Sequence, residues 1–467
     1  MPPDTITARV ARYVTSMDTR EIPDAVLDEA RKCLVDYIAV CVQALPTPEG
    51  RIMRDVIGQW RSQGRASLIG GGMAAPMAAA MFNGTLSHCL DFDDTHIPSV
   101  VHISGPLWAA LLAVGAERDI DEQRMLRAFV TGFEVDARLG DHGVGVRLNQ
   151  GGWHATPTLG GFGVACGIAA MLGLDASKVS HALALCATQA GGLAASFGSM
   201  AKPMHSGKAA ADGVMAAALA EAGFTGAADP LDPAGRFLAT LLQDPGAQFT
   251  LPPFDPVWEI TRNSFKPYAA CQLAHGAIDA AQRVRPRVAG RPVRRITAFV
   301  HPLAVRIATV TDPVTPTQGK FCVGFCVALA LSGRPLSNDD FSPENLRDPW
   351  LRDMTGRVEM RATGGIERTA TRLEIELASG ESLVEDVAHA FGSIGNPMDW
   401  ASLDAKFIAS TRALLGANAP VLLQALHRFG DPGSLARLFA LTRPLHDPLA
   451  AGADLARRDQ PAHTQED

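Results

Sequence analysis

Carboxylates and imidazoles are concentrated in one short segment, LDFDDTHIPSVVHISG, which covers residues 90–105 and has alanine-rich apolar sequence on both sides. Its ionisable residues are Asp91, Asp93, Asp94, His96 and His102. Such groups are costly to bury unless they are paired or used in function. They offer general acid–base chemistry, because an imidazole titrates near working pH and carboxylates can orient it or hold a cation.

This segment also has two alternatives to acid–base chemistry. On an ideal helix Asp91, Thr95 and His102 would share one face, but an internal proline forbids a continuous helix and favours a helix end followed by a loop. Because Asp, Thr and Ser also cap helices, a solvated capping loop is the first alternative. Clustered Asp and His are also metal ligands, so the second alternative is a metal-dependent helical enzyme that uses Asp91, Asp93 and Asp94. The spacing of these residues matches no standard metal-binding motif.

Three later segments resemble the first in composition. GGWHATPTLGGFG places His154 in a turn before an apolar helix, and this segment taken alone favours a capping or core histidine over a functional one. SFGSMAKPMHSGKAA places Lys202 and His205 in a loop that opens a helix. A lysine in such a loop suggests anion binding, although the spacing is not that of a Walker loop. The fourth segment, SFKPYAACQLAHGAID, contains Lys266, Tyr268, Cys271 and His275.

The composition limits the class of protein. Lys and Arg number 42 against 49 Asp and Glu, a net charge of −7, which argues against a nucleic-acid partner and requires local cations for any anionic ligand. The N-terminus lacks the features of a signal peptide, and the eight scattered cysteines suit a reducing cytoplasm. The uncharged stretches 148–174 and 180–201 are broken by polar residues, so we expect buried helices rather than membrane spans.

Helical spacing dominates the first 265 or so residues. DAVLDEARKCLVDYIAVCVQAL, for example, repeats its apolar residues in helical register, at Val26, Ala30, Cys33, Leu34 and Ile38. The pattern changes after about residue 275. PVRRITAFVHP and GRVEMRA alternate as strands do, and TRLEIELASGESLVEDV predicts a hairpin that turns at Ser379 and Gly380.

These patterns predict a mainly α protein in which a small α+β domain is inserted into a large all-helical domain. A helical run, GKFCVGFCVALAL, is expected between the first strand and the later ones, and helices return after Pro397. The expected boundaries are a helical domain at 1–268 and 395–455, an α+β domain at 269–394, and a disordered tail at 456–467.

Taken together and in order, four segments resemble signatures of the MmgE/PrpD family, which includes 2-methylcitrate dehydratases, cis-aconitate decarboxylases and iminodisuccinate epimerases. They are NGTLSHCLDFDDTH, GWHATPTLGGFG, KPMHSGKAA and FKPYAACQLAH, within residues 83–275. The resemblance implies a helical domain with a smaller α+β lid, usually a homodimer, and no organic cofactor. Here Ile103 follows His102 where the family usually has proline, and His96 replaces a tryptophan of the methylcitrate branch, which weakens the case for methylcitrate.

The resemblance also implies roles for individual residues. His102 is expected to transfer the proton, with Asp91 orienting it or holding a lysine, while Lys202 and Lys266 stabilise enolate-like charge. Asp93 and Asp94 are expected only to brace the loop. The residues expected to bind a substrate carboxylate or its surroundings are Thr95, His154, Tyr268 and His275.

The family's known reactions share a change of bonding at the carbon next to a carboxylate of a small di- or tricarboxylate. A dehydratase-type lyase is the first expectation, because elimination of water needs only an acid–base pair and cations that hold the anion. An epimerase would need a base on each face of the carbon, such as His102 with Lys266 or Tyr268, and a decarboxylase is the third alternative. We expect neither a membrane nor a metal ion as a partner.

Overall fold

A computed structural model describes residues 5–445, so the expected tail at 456–467 lies outside the described residues. The first half is almost entirely helical, as the spacing predicts. Its helices are α1 (Ile6–Thr15), α2 (Asp24–Ala44), α3 (Pro48–Gln59), α4 (Pro76–His88), α5 (Ser104–Arg118), α6 (Glu122–Gly140), α7 (Val144–Gln150), α8 (Ala155–Leu172), α9 (Ala176–Ala187), α10 (Ala201–Glu221) and α11 (Phe237–Leu242).

Small residues let the central helices approach closely. Helix α10 packs between α4 and α8, and a Cβ added to Gly84 of α4 would lie only 3.0 Å from the Cα of Gly207 on α10. Helix α2 buries the whole apolar face that its spacing predicts, from Val26 to Ile38. Alanine and glycine therefore build this core through close backbone contact rather than through large side chains.

Helix α8 is long and apolar enough to cross a membrane by length and composition. It is 94% buried inside the protein, and it packs against α6 and α10. A buried core helix passes the same composition test, so this burial agrees with the expectation of buried helices in the uncharged stretch 148–174.

A four-stranded sheet forms the core of the second part of the chain. Its strands are β5 (Val293–Val300), β6 (Val358–Ala362), β7 (Thr371–Leu377) and β8 (Ser382–Val387), in the order β6-β5-β7-β8. Strand β6 runs parallel to β5, and the other neighbours are antiparallel. The predicted hairpin is confirmed as β7–β8, with Gly380 at a positive φ of 88° in its turn.

Helices surround this sheet and include α12, which packs on β7 and β8. They are α12 (His275–Val288), α13 (Pro302–Ile307), α14 (Pro316–Lys320), α15 (Val323–Ser332), α16 (Pro343–Arg347) and α17 (Pro349–Gly356). The single helical run predicted in GKFCVGFCVALAL is wrong, because the chain breaks at Phe321 and Cys322 between α14 and α15. The break turns Phe321 towards the first half of the chain, close to Lys202.

The last helices return to the first part of the chain, since α18 packs against α2. They are α18 (Trp400–Leu415), α19 (Asn418–His427) and α20 (Ser434–Leu441). Movement of the sheet region as a lid, like the domain boundaries, stays a prediction.

Two very short antiparallel pairs lie outside the four-stranded sheet: β1 (Ala66–Ser67) with β2 (Met73–Ala74), and β3 (Thr95–His96) with β4 (Asn263–Ser264). The second pair joins segments that are far apart in the sequence. It aligns Thr95 with Ser264 and so brings the fourth chemistry-bearing segment beside the first.

Candidate active site

The first chemistry-bearing segment is a loop between two helices, as the internal proline predicts. Helix α4 ends at His88 and α5 begins at Ser104. Two residues of the loop have left-handed backbone conformations, Asp91 with φ 51° and Val100 with φ 54°. This conformation is tolerated by aspartate but strained for a β-branched valine, so surrounding contacts must hold the loop in place.

Asp91 lies between two buried lysines. Its Oδ1 is 2.5 Å from Nζ of Lys202 and 3.4 Å from Nζ of Lys266, which also donates to the Asp91 backbone carbonyl at 2.8 Å. Lys202 lies in the first turn of α10 rather than in the preceding loop, where the sequence pattern had placed it. Its ammonium group is 5.1 Å from the ring centre of Phe321, a cation–π contact with the second part of the chain.

These contacts fix the charges of the group. Burial would raise the pKa of Asp91, but Lys202 and Lys266 outweigh it and hold the pKa well below its ordinary value. Burial would lower the pKa of Lys266, but the carboxylates of Asp91 and Asp93 outweigh it and the pKa is raised. The cluster of Asp91, Lys202 and Lys266 therefore carries one negative charge and at least one firmly retained positive charge at neutral pH.

Asp93 rather than Asp91 orients the predicted proton-transfer residue. Nδ1 of His102 lies 2.9 Å from Asp93 Oδ2 and 2.9 Å from the Asp94 backbone oxygen, and it is 3.3 Å from the Thr95 hydroxyl. Since a backbone oxygen can only accept, Nδ1 carries a hydrogen, and Nε2 holds the lone pair whenever the ring is neutral. Of the two roles expected for Asp91, orienting His102 or holding a lysine, these contacts fit the second, and Asp93 does more than brace the loop because it contacts His102.

A second histidine shares the same carboxylate. Nδ1 of His88 lies 2.8 Å from Asp93 Oδ2, and its Nε2 is buried without a partner among the described residues. Burial, opposed by Asp93, lowers the pKa of His88 to about 4, so this ring is neutral at pH 7. Burial would raise the pKa of Asp93, but His102 and His88 outweigh it and hold the pKa well below its ordinary value. One carboxylate thus fixes the orientation of two imidazole rings.

His154 occupies the N-cap of α8, as the sequence predicts. Its Nδ1 is 2.9 Å from Nδ1 of His205, and its ring meets Phe197 edge-on at 4.9 Å between centres. Burial and then the charge of Lys202 lower its pKa well below the ordinary value, so His154 is a neutral imidazole at pH 7.

These side chains surround one cavity of about 100 Å³. That volume is well below the roughly 300–1,000 Å³ of pockets for drug-sized ligands, and it suits a metabolite of a few carbons. Of the eight site residues expected from the sequence, six line this cavity: Asp91, Thr95, His102, His154, Lys202 and Lys266. Other lining residues include Asn149, Phe197, Cys271, Phe321 and Arg368.

Tyr268 and His275 do not line the cavity, and the expectation that they bind substrate does not fit their contacts. The Tyr268 hydroxyl donates to Asp279 Oδ1 at 2.6 Å and lies 3.0 Å from Gln282 Oε1. His275 Nε2 donates to the Ala270 backbone oxygen at 3.1 Å. Both side chains are buried in support of the Lys266 segment.

A chain of polar groups lies behind the loop. The Asp94 carboxylate accepts from Ser104 and Asn263, and its backbone N–H donates to Asp36 Oδ2 at 3.1 Å. Burial, with the nearby Asp36, raises the pKa of Asp94 to about 7. Asp36 in turn accepts from Lys406 Nζ at 2.6 Å.

Three lysines from later parts of the chain hold three consecutive backbone oxygens of the loop. Lys320 Nζ donates to the Leu90 oxygen at 2.5 Å and Lys406 Nζ donates to the Phe92 oxygen at 2.8 Å. The Asp91 oxygen between them accepts from Lys266, as described above. The strained loop is therefore fixed by ammonium groups from well beyond its own segment.

The metal alternative does not fit these contacts. Its three carboxylates diverge: Asp91 pairs with lysines, Asp93 with histidines, and Asp94 with Ser104 and Asn263. Ligand atoms of His88, Asp91 and His102 do lie within 4.8 Å of one another. However, the Asp91 carboxylate already contacts two ammonium groups, which would repel a metal cation and favour an anion instead.

A larger groove of about 940 Å³ lies at the surface between α12, α17 and β5, and it is lined by Arg291, Trp350 and Arg357 among others. Its arginines pair with exposed acids, as Arg357 does with Asp353 at 2.9 Å. It does not combine buried acids, bases and cations as the smaller cavity does, so chemistry rather than size identifies the candidate active site.

Sequence reasoning missed His88 and Arg368 and misjudged Asp93. The sequence did contain a signal for His88, because His88 and Asp93 lie five residues apart across a helix end, within the segment NGTLSHCLDFDDTH. Arg368 follows β6 in a loop with no other recognisable motif, so only its position in space connects it with the cavity.

Two family models match the chain: the MmgE/PrpD N-terminal domain over residues 8–250 and the MmgE/PrpD C-terminal domain over residues 268–425. The cis-aconitate decarboxylase-like protein oryM of Aspergillus oryzae is 27% identical over 416 residues, covering 83% of this chain and 86% of that protein. Cis-aconitate decarboxylase of Aspergillus terreus is 25% identical over 427 residues, covering 84% and 86%. The Homo sapiens cis-aconitate decarboxylase is 25% identical over 354 residues, or 73% of each chain.

Proposed function

This chain belongs to the MmgE/PrpD family, and we propose that it is a lyase that removes CO₂ from a small tricarboxylate of the cis-aconitate type. The observation that carries the proposal is the joint presence of His102, Asp91, Lys202 and Lys266 around one small cavity. The similar proteins named above favour decarboxylation over the dehydration that the sequence alone placed first.

Decarboxylation of cis-aconitate needs one proton and a stabilised carbanion. The electron pair of the breaking C–CO₂ bond forms a new terminal double bond. The pair of the old double bond moves to the adjacent carbon, which lies next to a carboxylate and accepts a proton. Product and CO₂ then leave with no external oxidant or reductant, so the reaction needs an acid at carbon and cations beside the developing charge.

The side chains of the cavity match these two needs. Lys202 and Lys266 place two ammonium groups beside the single carboxylate of Asp91, so positive charge remains for the substrate. We assign proton transfer to Nε2 of His102, because its Nδ1 is occupied by Asp93 and the Asp94 oxygen. Protonated His102 would deliver the proton to carbon, and Asp93 would stabilise the imidazolium before that step.

Dehydration is the second candidate, and one observation favours it. His154 adds a neutral imidazole to the same cavity, so a base and an acid are both present for elimination of water across two carbons. Epimerisation is the third candidate, and it would require the two groups to lie on opposite faces of one carbon.

Proton NMR in D₂O separates the three reactions. The purified chain is incubated with cis-aconitate, citrate, 2-methylcitrate and iminodisuccinate, with the His102→Ala variant as the reference. The proposal predicts loss of cis-aconitate with one deuterium in the decarboxylated product and release of CO₂. Conversion of citrate or 2-methylcitrate without release of CO₂ would show that the enzyme is a dehydratase instead. Deuterium exchange into iminodisuccinate alone would show that it is an epimerase.

A further inference from the structure

The cavity contains a third cation besides the two lysines. Arg368 lies between β6 and β7, is half-buried, and lines the cavity together with Lys202 and Lys266. Its Nη1 donates to the backbone oxygen of Ile97, which also lines the cavity. A guanidinium has five N–H donors, so most of the hydrogen-bonding capacity of this arginine is unused in the described chain.

Arg368 has no ion pair within the described residues, unlike Lys202 and Lys266 of the same cavity, which both pair with Asp91. Within the part of the chain that the structure describes, no carboxylate oxygen lies within 4.0 Å of its guanidinium, whereas the neighbouring exposed Arg361 pairs with Glu359 at 2.9 Å. Withdrawing a guanidinium from water without a counter-ion is costly. An anionic group entering the cavity would offset that cost.

The loop that carries Arg368 is held in place by its neighbours. The Thr369 backbone N–H and hydroxyl both donate to the Glu367 carboxylate, at 2.8 Å and 2.6 Å. The Thr369 hydroxyl also accepts from the Ala390 N–H at 3.4 Å, which ties this loop to the chain that follows β8. The arginine therefore extends from a fixed backbone, as a residue that positions a ligand should.

The charges around the cavity match a ligand with more than one carboxylate. Three cations and one carboxylate, that of Asp91, line the cavity, which leaves two positive charges, and the Asp93 carboxylate offsets the charge of His102 when that ring is protonated. Both lysines are adjacent to Asp91 and to the proposed acid, so they would hold the carboxylate next to the reacting carbon. Arg368 has no ion pair with Asp91 and is therefore available to bind a carboxylate farther along the substrate.

We propose that Arg368 is a specificity-determining residue that binds the carboxylate on the central carbon, which neither leaves as CO₂ nor is attached to the protonated carbon, and so selects tricarboxylates over dicarboxylates. This inference rests on the proposed function for its substrate class. A planar guanidinium suits the task, because it can hold a carboxylate with two parallel hydrogen bonds.

Binding of unreactive ligands tests the inference without turnover. The two probes are propane-1,2,3-tricarboxylate and glutarate, which lacks the central carboxylate, and dissociation constants come from calorimetry. Arg368→Gln should weaken binding of the tricarboxylate by about tenfold to about 150-fold, the range for a charge-assisted hydrogen bond. Binding of glutarate should change by less than about threefold, because the ligand already lacks the partner group.

Two further variants make the result specific. Arg368→Lys keeps the charge without the planar fork and should recover part of the lost affinity, which also guards against misfolding of the glutamine variant. Arg361→Gln removes an exposed arginine of the adjacent strand and should bind both probes as the wild-type protein does. Equal weakening for both probes, or no weakening in Arg368→Gln, would overturn the assignment.

The same measurements distinguish this inference from the proposed function. If the wild-type protein binds the tricarboxylate through Arg368 but decarboxylates nothing, the proposed reaction fails and the assignment of Arg368 stands. If cis-aconitate is decarboxylated and Arg368→Gln leaves both its KM and the dissociation constant unchanged, the assignment alone fails.

Discussion

Replacing Asp136 with asparagine should change how the stability of this protein depends on pH. Asp136 lies on α6, is 1% exposed, and neither of its carboxylate oxygens has a hydrogen-bond partner among the described residues. It faces the glycines of α8, where a Cβ added to Gly163 would lie 2.7 Å from its own Cβ. Burial alone raises its pKa from 3.8 to about 8.

The sign of the effect follows from proton binding. Between these two pKa values the folded protein holds a proton at Asp136 that the unfolded chain has released, so the free energy of unfolding falls as pH rises. One such proton corresponds to about 1.4 kcal/mol per pH unit, or about 3 kcal/mol between about pH 5 and about pH 7. The Asp136→Asn variant carries a neutral amide of the same shape and should lack this contribution.

Urea unfolding followed by circular dichroism, at about pH 5, 6 and 7, measures the difference directly. The variant should lose less stability than the wild-type protein across this range, by an amount near 3 kcal/mol. Asp353→Asn serves as the control, because that carboxylate is exposed and should leave the pH dependence unchanged. Parallel pH dependences for Asp136→Asn and the wild-type protein would refute the reasoning, since Asp136 would then be ionised in the folded state.

Three further predictions concern the loop and its partners. His102→Ala and Lys202→Ala should each lower turnover at least about a hundredfold with the circular dichroism spectrum unchanged, and near wild-type rates in either would reject its role. Asp93→Asn should also lower kcat/KM at least about a hundredfold through loss of His102 orientation. Asp94→Asn should cost less than about tenfold, because burial raises the pKa of Asp94 and so favours its uncharged form, which an amide resembles. Similar losses in these two variants would contradict that distinction. Val100→Gly should keep or raise the thermal midpoint, because glycine removes the strain at φ 54°. The control Val101→Gly, at a buried position, should lower the midpoint. Equal losses in the two variants would show that Val100 is not strained.

Local patterns in the sequence were enough to predict several elements of the fold. The apolar spacing from Val26 to Ile38 predicted the buried face of α2, and strict alternation predicted the β7–β8 hairpin. The break at Phe321 was missed because an unbroken apolar run gives no signal for a helix end. Periodicity reports which residues are buried, but not where a buried helix is interrupted.

The candidate site was predictable in its residue types but not in its pairings. Asp91 and Asp93 are two positions apart in similar surroundings, yet one contacts lysines and the other histidines. That difference arises from the left-handed conformation at Asp91 and from the pairing of β3 with β4, which local sequence does not encode. Tyr268 was misplaced for the same reason, because its partner Asp279 is specified by the packing of α12.

The three lysines that hold the Leu90, Asp91 and Phe92 oxygens have a consequence for synthesis of the protein. They lie at positions 266, 320 and 406, so the ribosome makes the loop before any of the three lysines and makes Lys406 last of the three. A nascent chain that ends before Lys406 would contain this strained loop without at least one of the three lysines that hold it. Catalytic competence should therefore arise only after Lys406 has left the ribosome, and truncation before α18 should yield a helical but inactive product.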